Sequence, residues 1–228
     1  MTELYIARTA PFCDQVPAAR AMPLLDGERR ERTARLRRPE DRARSVTAGL
    51  LLRFGLAERF GLPPGSCSIE RGENGKPFVK GRPDCCFNLS HAGEWAVCAL
   101  SAAPVGVDIE RAEGRHEDLA RRFFCPEEFA WLGRQPEDGR EEAFFRLWTL
   151  KESYIKYLGK GLSLSLSAFC IHPGPPVAVT QEGKHVSCRF REYSDCIGYR
   201  LAVCAAGGED IAPRPRLLDT EALLGTLA

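Results

Sequence analysis

The sequence contains no C-x-x-C pair, although it has ten cysteines in 228 residues. Because zinc-binding motifs depend on such pairs at regular spacing, a structural zinc site is not expected. Cys85 and Cys86 are adjacent, and others, such as Cys98 and Cys204, lie within apolar runs typical of buried strands. We therefore expect reduced cysteines that act as small buried hydrophobic residues in a cytoplasmic protein.

Long hydrophobic runs are also absent. No uninterrupted apolar run approaches the ~18 residues that suggest a transmembrane helix. The opening residues, M-T-E-L-Y-I-A-R-T-A-P-F, lack the basic stretch and the long apolar stretch of a signal peptide. We expect no secretory leader and no membrane partner.

Charge of one sign is not in excess over the whole chain, whose formal net charge is +1. This balance argues against general binding to nucleic acids. Residues 20–53 nevertheless contain ten arginines and only five acidic residues. Such a basic segment indicates an anionic small molecule or an acidic partner surface, and the alternative is a solvated helical face.

Hydrophobic periodicity predicts helices and strands that follow one another in each half of the chain. The strand-like segment W-A-V-C-A-L at 95–100 is echoed by L-A-V-C-A-A at 201–206. This echo favours an α+β fold of two similar halves, residues 1–103 and 104–228, in a pseudo-twofold arrangement. A ligand would then bind in the cleft between the halves. The alternative is that A-V-C-A is simply a common composition of buried strands.

The segment V-G-V-D-I-E at 105–110 has the alternation of a strand. Asp108 and Glu110 therefore share one face, about 7 Å apart along the strand. Two carboxylates beside Gly106, which leaves space, suit a hard divalent cation such as Mg²⁺. The alternative is an acidic pair on a solvated sheet face.

A third carboxylate is predicted from the segment W-T-L-K-E-S-Y-I-K-Y-L-G-K-G at 148–161. Glu152 and Lys156 are four residues apart on a helix, close to the apolar Trp148 and Ile155, and partly buried charges require compensation. A metal ion or a phosphate would supply it; an internal ion pair is the alternative.

Other segments present groups that suit an anion. Ser90 and His91 are predicted at a strand end in F-N-L-S-H-A-G, and the turn N-G-K-P presents Lys76. A catalytic Ser–His pair is disfavoured because adjacent residues on a strand point to opposite faces.

Five segments occur in an order that resembles the 4'-phosphopantetheinyl transferases, specifically the long, monomeric type that activates bacterial peptide and polyketide synthetases. The segments are G-K-P at 75–77, F-N-L-S-H-A-G at 87–93, V-G-V-D-I-E at 105–110, R-R-F-F-C-P-E-E at 121–128 and W-T-L-K-E-S-Y-I-K-Y-L-G-K-G at 148–161. The resemblance extends over essentially the whole chain.

The resemblance implies two halves arranged like a dimer of the shorter holo-acyl-carrier-protein synthases, with coenzyme A in the cleft. It implies Mg²⁺, or Mn²⁺, held by Asp108, Glu110 and Glu152, and catalytic roles for Glu152, Lys156 and Asp108. The implied coenzyme A ligands are Arg29, Arg32, Arg44, Ser45, Asn74, Gly75, Lys76, Pro77, Ser90, His91 and Lys156. Arg29 and Arg32 stand where the family often has lysines, which preserves charge but changes geometry.

The implied reaction transfers the 4'-phosphopantetheine arm from coenzyme A to a serine of an apo-carrier protein (acyl, peptidyl or aryl) and releases adenosine 3',5'-bisphosphate. An internal duplication makes a monomer sufficient. Two alternatives remain from the residues: a Mg²⁺-dependent hydrolase of nucleotides, and a module that binds coenzyme A or carrier protein without activity.

Overall fold

The computed structural model describes residues 1–114 and 116–225. Its α-helices are α1 (Gln15–Ala21), α2 (Gly27–Arg35), α3 (Pro39–Phe60), α4 (Glu117–Phe123), α5 (Pro126–Gly133), α6 (Arg140–Leu158) and α7 (Thr220–Gly225). Its strands are β1 (Glu3–Arg8), β2 (Ile69–Arg71), β3 (Pro77–Val79), β4 (Cys86–Ala92), β5 (Trp95–Ser101), β6 (Val105–Arg111), β7 (Phe169–His172), β8 (Ala178–Gln181), β9 (Lys184–His185), β10 (Cys188–Tyr193), β11 (Tyr199–Ala206) and β12 (Arg216–Leu217). No helix in these ranges combines the length and the apolar character needed to cross a membrane.

Two sheets pack face to face at the centre of the molecule. One has the strand order β12-β1-β5-β4, and the other has the order β10-β11-β6. Their facing apolar side chains form one core, which includes Leu4, Ile6, Val97, Ala99, Val107, Ile109, Leu201 and Val203. Helix α3 covers the outer face of the first sheet, and α6 covers that of the second. The layers are therefore helix, sheet, sheet and helix, and the predicted α+β class is confirmed.

The A-V-C-A echo corresponds to equivalent positions in the two halves. Strand β5 lies between β1 and β4, and β11 lies between β10 and β6. Both strands are almost completely buried because a helix covers one face and the other sheet covers the opposite face. The predicted arrangement of two similar halves is confirmed, and the boundary between residues 103 and 104 stays a prediction.

The equivalence does not extend to the acidic pair. Ala202 of β11 lies opposite Asp108 of β6, and the matching Ala96 of β5 lies opposite Ala7 of β1. The strand of the first half thus carries an alanine at the position of the carboxylate. A site built around Asp108 has no acidic counterpart at Ala7.

The end of the chain returns to the first half. Strand β12 pairs in parallel with β1, with Tyr5 opposite Arg216, and Leu218, Leu223 and Leu224 join the core under α3. Residues 216–224 therefore belong to the second half by sequence and to the first half by contact.

Most predicted elements are present, with two kinds of difference. Strand β4 continues through Ala92, so Ser90 and His91 lie within the strand and not at its end. Helices α1 and α7 and strands β3, β9 and β12 were not predicted. They are short, and α1 contains Pro17 in its first turn, so their local patterns are weak.

One prediction about the cysteines is wrong. Cys125, at the start of α5, and Cys170, in β7, form a disulfide, whereas the other eight cysteines are free. The pair is separated by 45 positions in sequence, and neither cysteine belongs to a spaced motif. Only the folding of α5 onto β7 brings the two sulfur atoms together.

Candidate active site

Helix α6 lies directly against strand β6 at Gly106. A β-carbon on Gly106 would overlap the Ser153 carbonyl oxygen and the Tyr157 amide nitrogen. Alternation along β6 places Asp108 on the same face as Gly106, towards the helix. Sequence reasoning assigned the space beside Gly106 to a ligand, and this was wrong, because the backbone of α6 fills it.

The closest polar contacts of the site join Asp108, Ser90 and Lys156. The Lys156 Nζ donates hydrogen bonds to Asp108 Oδ1 at 2.6 Å and to Ser90 Oγ at 3.0 Å. Ser90 Oγ also lies within hydrogen-bonding distance of Asp108 Oδ1, at 2.9 Å. Asp108 is only 3% exposed. The triangle connects β4, β6 and α6, so it joins the two halves.

The other oxygen of Asp108 is available to a ligand. Asp108 Oδ2 is buried and has no hydrogen-bond partner among the described residues. A buried carboxylate oxygen without a partner is costly, and a bound cation would remove that cost. The structure therefore contains an open, hard oxygen donor beside Glu110 and Glu152.

Burial raises the pKa values of all three carboxylates, and the charge of Asp108 raises those of Glu110 and Glu152 further. Burial raises the pKa of Asp108, against the opposing effect of Lys156. Burial, followed by the charges of Asp108 and Glu152, raises the pKa of Glu110 to about 7, although the charge of Lys156 and a hydrogen bond from Trp148 oppose the shift. Burial and Asp108 also raise the pKa of Glu152. A divalent cation would favour the charged form of each carboxylate against burial, so the donor set fits one.

Side chains of β4 complete the seam between the sheets. The amide N–H of Val107 donates to Asn88 Oδ1 at 2.9 Å, and that of Ile109 donates to Ser90 Oγ at 3.4 Å. These bonds give hydrogen-bond partners to the backbone N–H groups of Val107 and Ile109, which lie on the edge of β6 that faces away from β11. Sequence reasoning missed Asn88, although its spacing of two from Ser90 places both side chains on one face of the strand.

A cleft of about 500 Å³ opens between the halves at this seam. The second half of the chain contributes the acidic cluster and Trp148 to its lining, and the first half contributes Arg29, Arg32 and His91. The cleft thus brings together most of the predicted ligands: Arg29, Arg32, Pro77, Ser90, His91, Asp108, Glu110, Glu152 and Lys156. Cationic side chains that share a cleft with a carboxylate cluster can hold a phosphate together with its metal ion.

The two arginines that line the cleft differ in their surroundings. Arg29 donates from Nη1 to the Ser45 carbonyl oxygen at 3.3 Å, and burial lowers its pKa to about 10, with a further contribution from the charge of Arg32. Its buried Nε has no hydrogen-bond partner within the described ranges. Arg32 is exposed and has no ion pair within residues 1–114 and 116–225. His91 is exposed on β4, and partial loss of solvation beside the cleft lowers its pKa.

Two predicted ligands, Ser45 and Arg44, line neither this cleft nor the cavity that adjoins it. The Ser45 hydroxyl is buried and forms a 2.6 Å hydrogen bond with Thr33, which fastens α2 to α3. Arg44 donates to the Gly93 carbonyl oxygen, pairs with Asp41 and lines a separate cavity of about 510 Å³. For Ser45 and Arg44 the structure supplies protein partners.

A second cavity, of about 640 Å³, adjoins the cleft. Asn74, Gly75, Lys76 and Pro77 line it, together with the apolar residues Phe123, Ile155, Leu164 and Leu166. Glu152 and Lys156 line both spaces. These two side chains therefore stand where the polar cleft meets the more apolar cavity.

Lys151, whose charge had no assigned role, forms a buried ion pair. Its Nζ lies 2.6 Å from both carboxylate oxygens of Glu128 and 3.0 Å from the Phe169 carbonyl oxygen. Both charged side chains have no exposed surface. Glu128 also accepts the amide N–H groups of Cys125 and Ile171. The pair fixes α6 to α5 and β7, and it lies apart from the cleft.

Comparison with known proteins identifies the arrangement. A family model described as "4'-phosphopantetheinyl transferase superfamily" matches residues 104–204, and one described as "4'-phosphopantetheinyl transferase, N-terminal" matches residues 13–103. The chain belongs to the 4'-phosphopantetheinyl transferase family. It is therefore an enzyme of the transferase class, and the resemblance seen in the sequence is confirmed.

Relatives of the same length support this membership. A 4'-phosphopantetheinyl transferase of Bacillus subtilis is 39% identical over 82% of this chain and 84% of its own. The 4'-phosphopantetheinyl transferase Sfp of Bacillus subtilis strain 168 is 35% identical over the same shares. The transferase ffp of Bacillus subtilis is 35% identical over 90% of this chain and 92% of its own. The chain is thus of the long type in this family.

Proposed function

We propose that this transferase moves the 4'-phosphopantetheine arm from coenzyme A to a serine of an apo-carrier protein, with Mg²⁺, and releases adenosine 3',5'-bisphosphate. One observation carries the proposal: the carboxylates of Asp108, Glu110 and Glu152 line the same cleft as the cationic side chains of Arg29 and Arg32. The assignment of residues to coenzyme A, including Arg44 and Ser45 outside the cleft but not the side chain of Lys76, stays part of this proposal.

The cleft suits the phosphorylated end of coenzyme A. The guanidinium groups of Arg29 and Arg32 and the ring of His91 can donate to phosphate oxygens, and such charge-assisted bonds are strong. The adjoining cavity, with Phe123 and Leu164 among its lining residues, suits a longer and less polar chain. We place the reacting phosphorus where the two spaces meet.

The acidic cluster fits a divalent cation. Asp108 would offer its unpartnered Oδ2, and Glu110 and Glu152 would add carboxylate oxygens. When bound, Mg²⁺ supplies neutralisation of the negative charge on the pyrophosphate oxygens. Lys156 retains its bond to Asp108 Oδ1 and adds a positive charge at the same place.

The chain's own residues then act on protons and charge. The serine oxygen of the carrier forms a bond to the β-phosphorus of coenzyme A, and the bond from that phosphorus to the bridging oxygen breaks. Glu152, whose pKa is raised by burial and by Asp108, can accept the serine proton directly or through a water molecule. Lys156 can stabilise the leaving phosphate. Phosphoryl transfer depends mainly on such positioning and neutralisation.

The test is incubation with coenzyme A, Mg²⁺ and a panel of apo-carrier proteins, followed by mass spectrometry of the carrier. We expect the carrier to gain one phosphopantetheine arm and adenosine 3',5'-bisphosphate to accumulate in equal amount. Carriers that stay unmodified while free nucleotides are hydrolysed would contradict the proposal. The cytoplasmic location, the monomeric state and the absence of nucleic-acid and membrane partners stay predictions.

A further inference from the structure

Lys76 belongs to the first half of the chain, but its side chain contacts the second half. Its Nζ donates to three backbone carbonyl oxygens: those of Lys156 at 2.6 Å, Val105 at 3.0 Å and Tyr157 at 3.2 Å. An ammonium group has three donors, so this set satisfies all of them within the protein. No donor remains for a phosphate, although the turn that carries Lys76 lines the cavity beside the cleft.

The three acceptors belong to the two elements that build the acidic cluster. Val105 begins β6, three residues before Asp108, and Lys156 and Tyr157 lie in the last turn of α6. Carbonyl groups in the last turn of a helix lack intrahelical partners, and a lysine commonly satisfies them. Here the lysine comes from another part of the chain and binds strand and helix together.

The contact with Lys156 gives this bridge a functional consequence. Lys76 holds the backbone oxygen of Lys156, while the side chain of Lys156 holds Asp108 and Ser90. A change in the last turn of α6 would therefore move the Lys156 ammonium relative to the carboxylate. Small misplacements of this kind reduce rates by as much as about 100-fold.

Two glycines make room for the turn that carries Lys76. A β-carbon on Gly159 would lie 3.0 Å from Lys76 Cδ, and one on Gly161 would lie 3.1 Å from the Asn74 carbonyl oxygen. Both glycines have positive φ values, 68° and 52°. The segment G-K-G at 159–161 thus ends α6 and receives the turn N-G-K-P from the other half.

We infer that Lys76 is a positioning residue: it fastens the end of α6 to the start of β6 and so holds Lys156 on Asp108. This inference rests on the proposed function, in which Lys156 stabilises the leaving phosphate. It differs from the role in nucleotide contact that the family resemblance implies for Lys76. The two roles make opposite predictions for binding and turnover.

The test compares Lys76→Met with Lys80→Met. Methionine keeps most of the aliphatic stem over Gly159 but removes all three donors, whereas Lys80 is an exposed lysine of the same hairpin, paired with Glu70. For Lys76→Met we expect kcat to fall on the order of 10- to 100-fold. The KM for coenzyme A and the Kd for adenosine 3',5'-bisphosphate should stay near the wild-type values. Lys80→Met should match the wild type in every measurement.

A double-mutant cycle with Lys156→Gln separates action through Lys156 from an independent effect. If Lys76 works by holding Lys156, its replacement should cost little further activity in the Lys156→Gln background. Additive losses would overturn the inference. So would a Kd for adenosine 3',5'-bisphosphate weakened about tenfold or more with kcat preserved, because that result indicates direct contact with the nucleotide.

Folding is checked by circular dichroism and thermal unfolding, with Lys76→Gln as a second variant that retains amide donors. Loss of the folded state in both variants would overturn the inference, since Lys76 would then be required for the fold itself. Wild-type protein that fails to modify any carrier contradicts the proposed function. Wild-type protein that is active alongside a fully active Lys76→Met contradicts only the role of Lys76.

Discussion

Gly106 and Ser153 are in backbone contact, and a β-carbon on Gly106 would overlap the Ser153 carbonyl oxygen. We expect Gly106→Ala to push α6 away from β6 and to lower the free energy of unfolding by about 1–3 kcal/mol, as overpacking does. Transfer activity should fall further than stability alone explains, because Glu152 and Lys156 are on the displaced helix. Denaturant unfolding and initial rates check this.

Gly133→Ala is the matched control. A β-carbon at Gly133, in the last turn of α5, would meet no atom within 4 Å. This variant should be as stable as the wild type or slightly more stable, since alanine favours helices by about 1 kcal/mol over glycine. Equal effects at Gly106 and Gly133 would contradict the proposed role of the backbone contact.

Replacement of a carboxylate should abolish transfer without unfolding the protein. Asp108→Asn and Glu152→Gln keep the side-chain volumes but remove a charge that the metal ion and the reaction need. We expect turnover to fall by at least about 10²-fold, the scale of single electrostatic groups in active sites. Near wild-type rates for either variant, measured at saturating Mg²⁺, would exclude the metal site that we propose.

The acidic cluster also predicts how stability depends on pH. The pKa of Glu110 is about 7 in the folded protein and its ordinary value is 4.5, so the folded state binds this proton more tightly. Its contribution to stability is therefore lost as the pH rises from about 4.5 through about 7. Without Mg²⁺ we expect the Tm of the wild type to fall as the pH rises across this range. The Tm of the Glu110→Gln variant should fall less steeply.

Mg²⁺ should reverse this trend, because it binds the deprotonated carboxylates and competes with protons. At a Mg²⁺ concentration of 100 Kd the stabilisation is about 2.7 kcal/mol. We expect the Mg²⁺-dependent rise in Tm to be larger at pH 8 than at pH 5.5 and to disappear with a chelator. An equal rise at both values would mean that Mg²⁺ binds elsewhere.

The buried pair of Lys151 and Glu128 should support stability and not chemistry. Lys151→Met leaves the Glu128 carboxylate buried without its cation, and breaking such a pair costs about 3–5 kcal/mol. We expect a much lower denaturant midpoint, but normal turnover per folded molecule at low temperature. Loss of turnover in a variant that remains folded would connect this pair to the active site.

The presence of the disulfide can be tested by counting the cysteines that react with an alkylating reagent. Alkylation of the unfolded protein without reductant should label eight cysteines, and labelling after reduction should reach ten. Replacing Cys125 by serine removes a cross-link over 45 positions, worth up to about 4 kcal/mol in the chain-entropy description. If ten cysteines are labelled in the unreduced protein, Cys125 and Cys170 are free thiols, as the sequence predicted.

Local sequence patterns determined most of this protein's elements and its family. Alternation in V-G-V-D-I-E placed Asp108 and Glu110 on one face, and helical spacing placed Glu152 and Lys156 one turn apart, because both periods follow from backbone geometry alone. The motifs in order then identified a 4'-phosphopantetheinyl transferase.

The tertiary structure decided which partners those side chains meet. Three contacts join residues that are distant in sequence. They are the ion pair of Lys151 with Glu128, the disulfide of Cys125 with Cys170 and the hydrogen bonds of Lys76 to the end of α6. Gly106 shows the same limit: its missing side chain was visible in the sequence, but only the packed helix shows what fills the space. Local periodicity sets the direction of a side chain, and only long-range packing sets its neighbour.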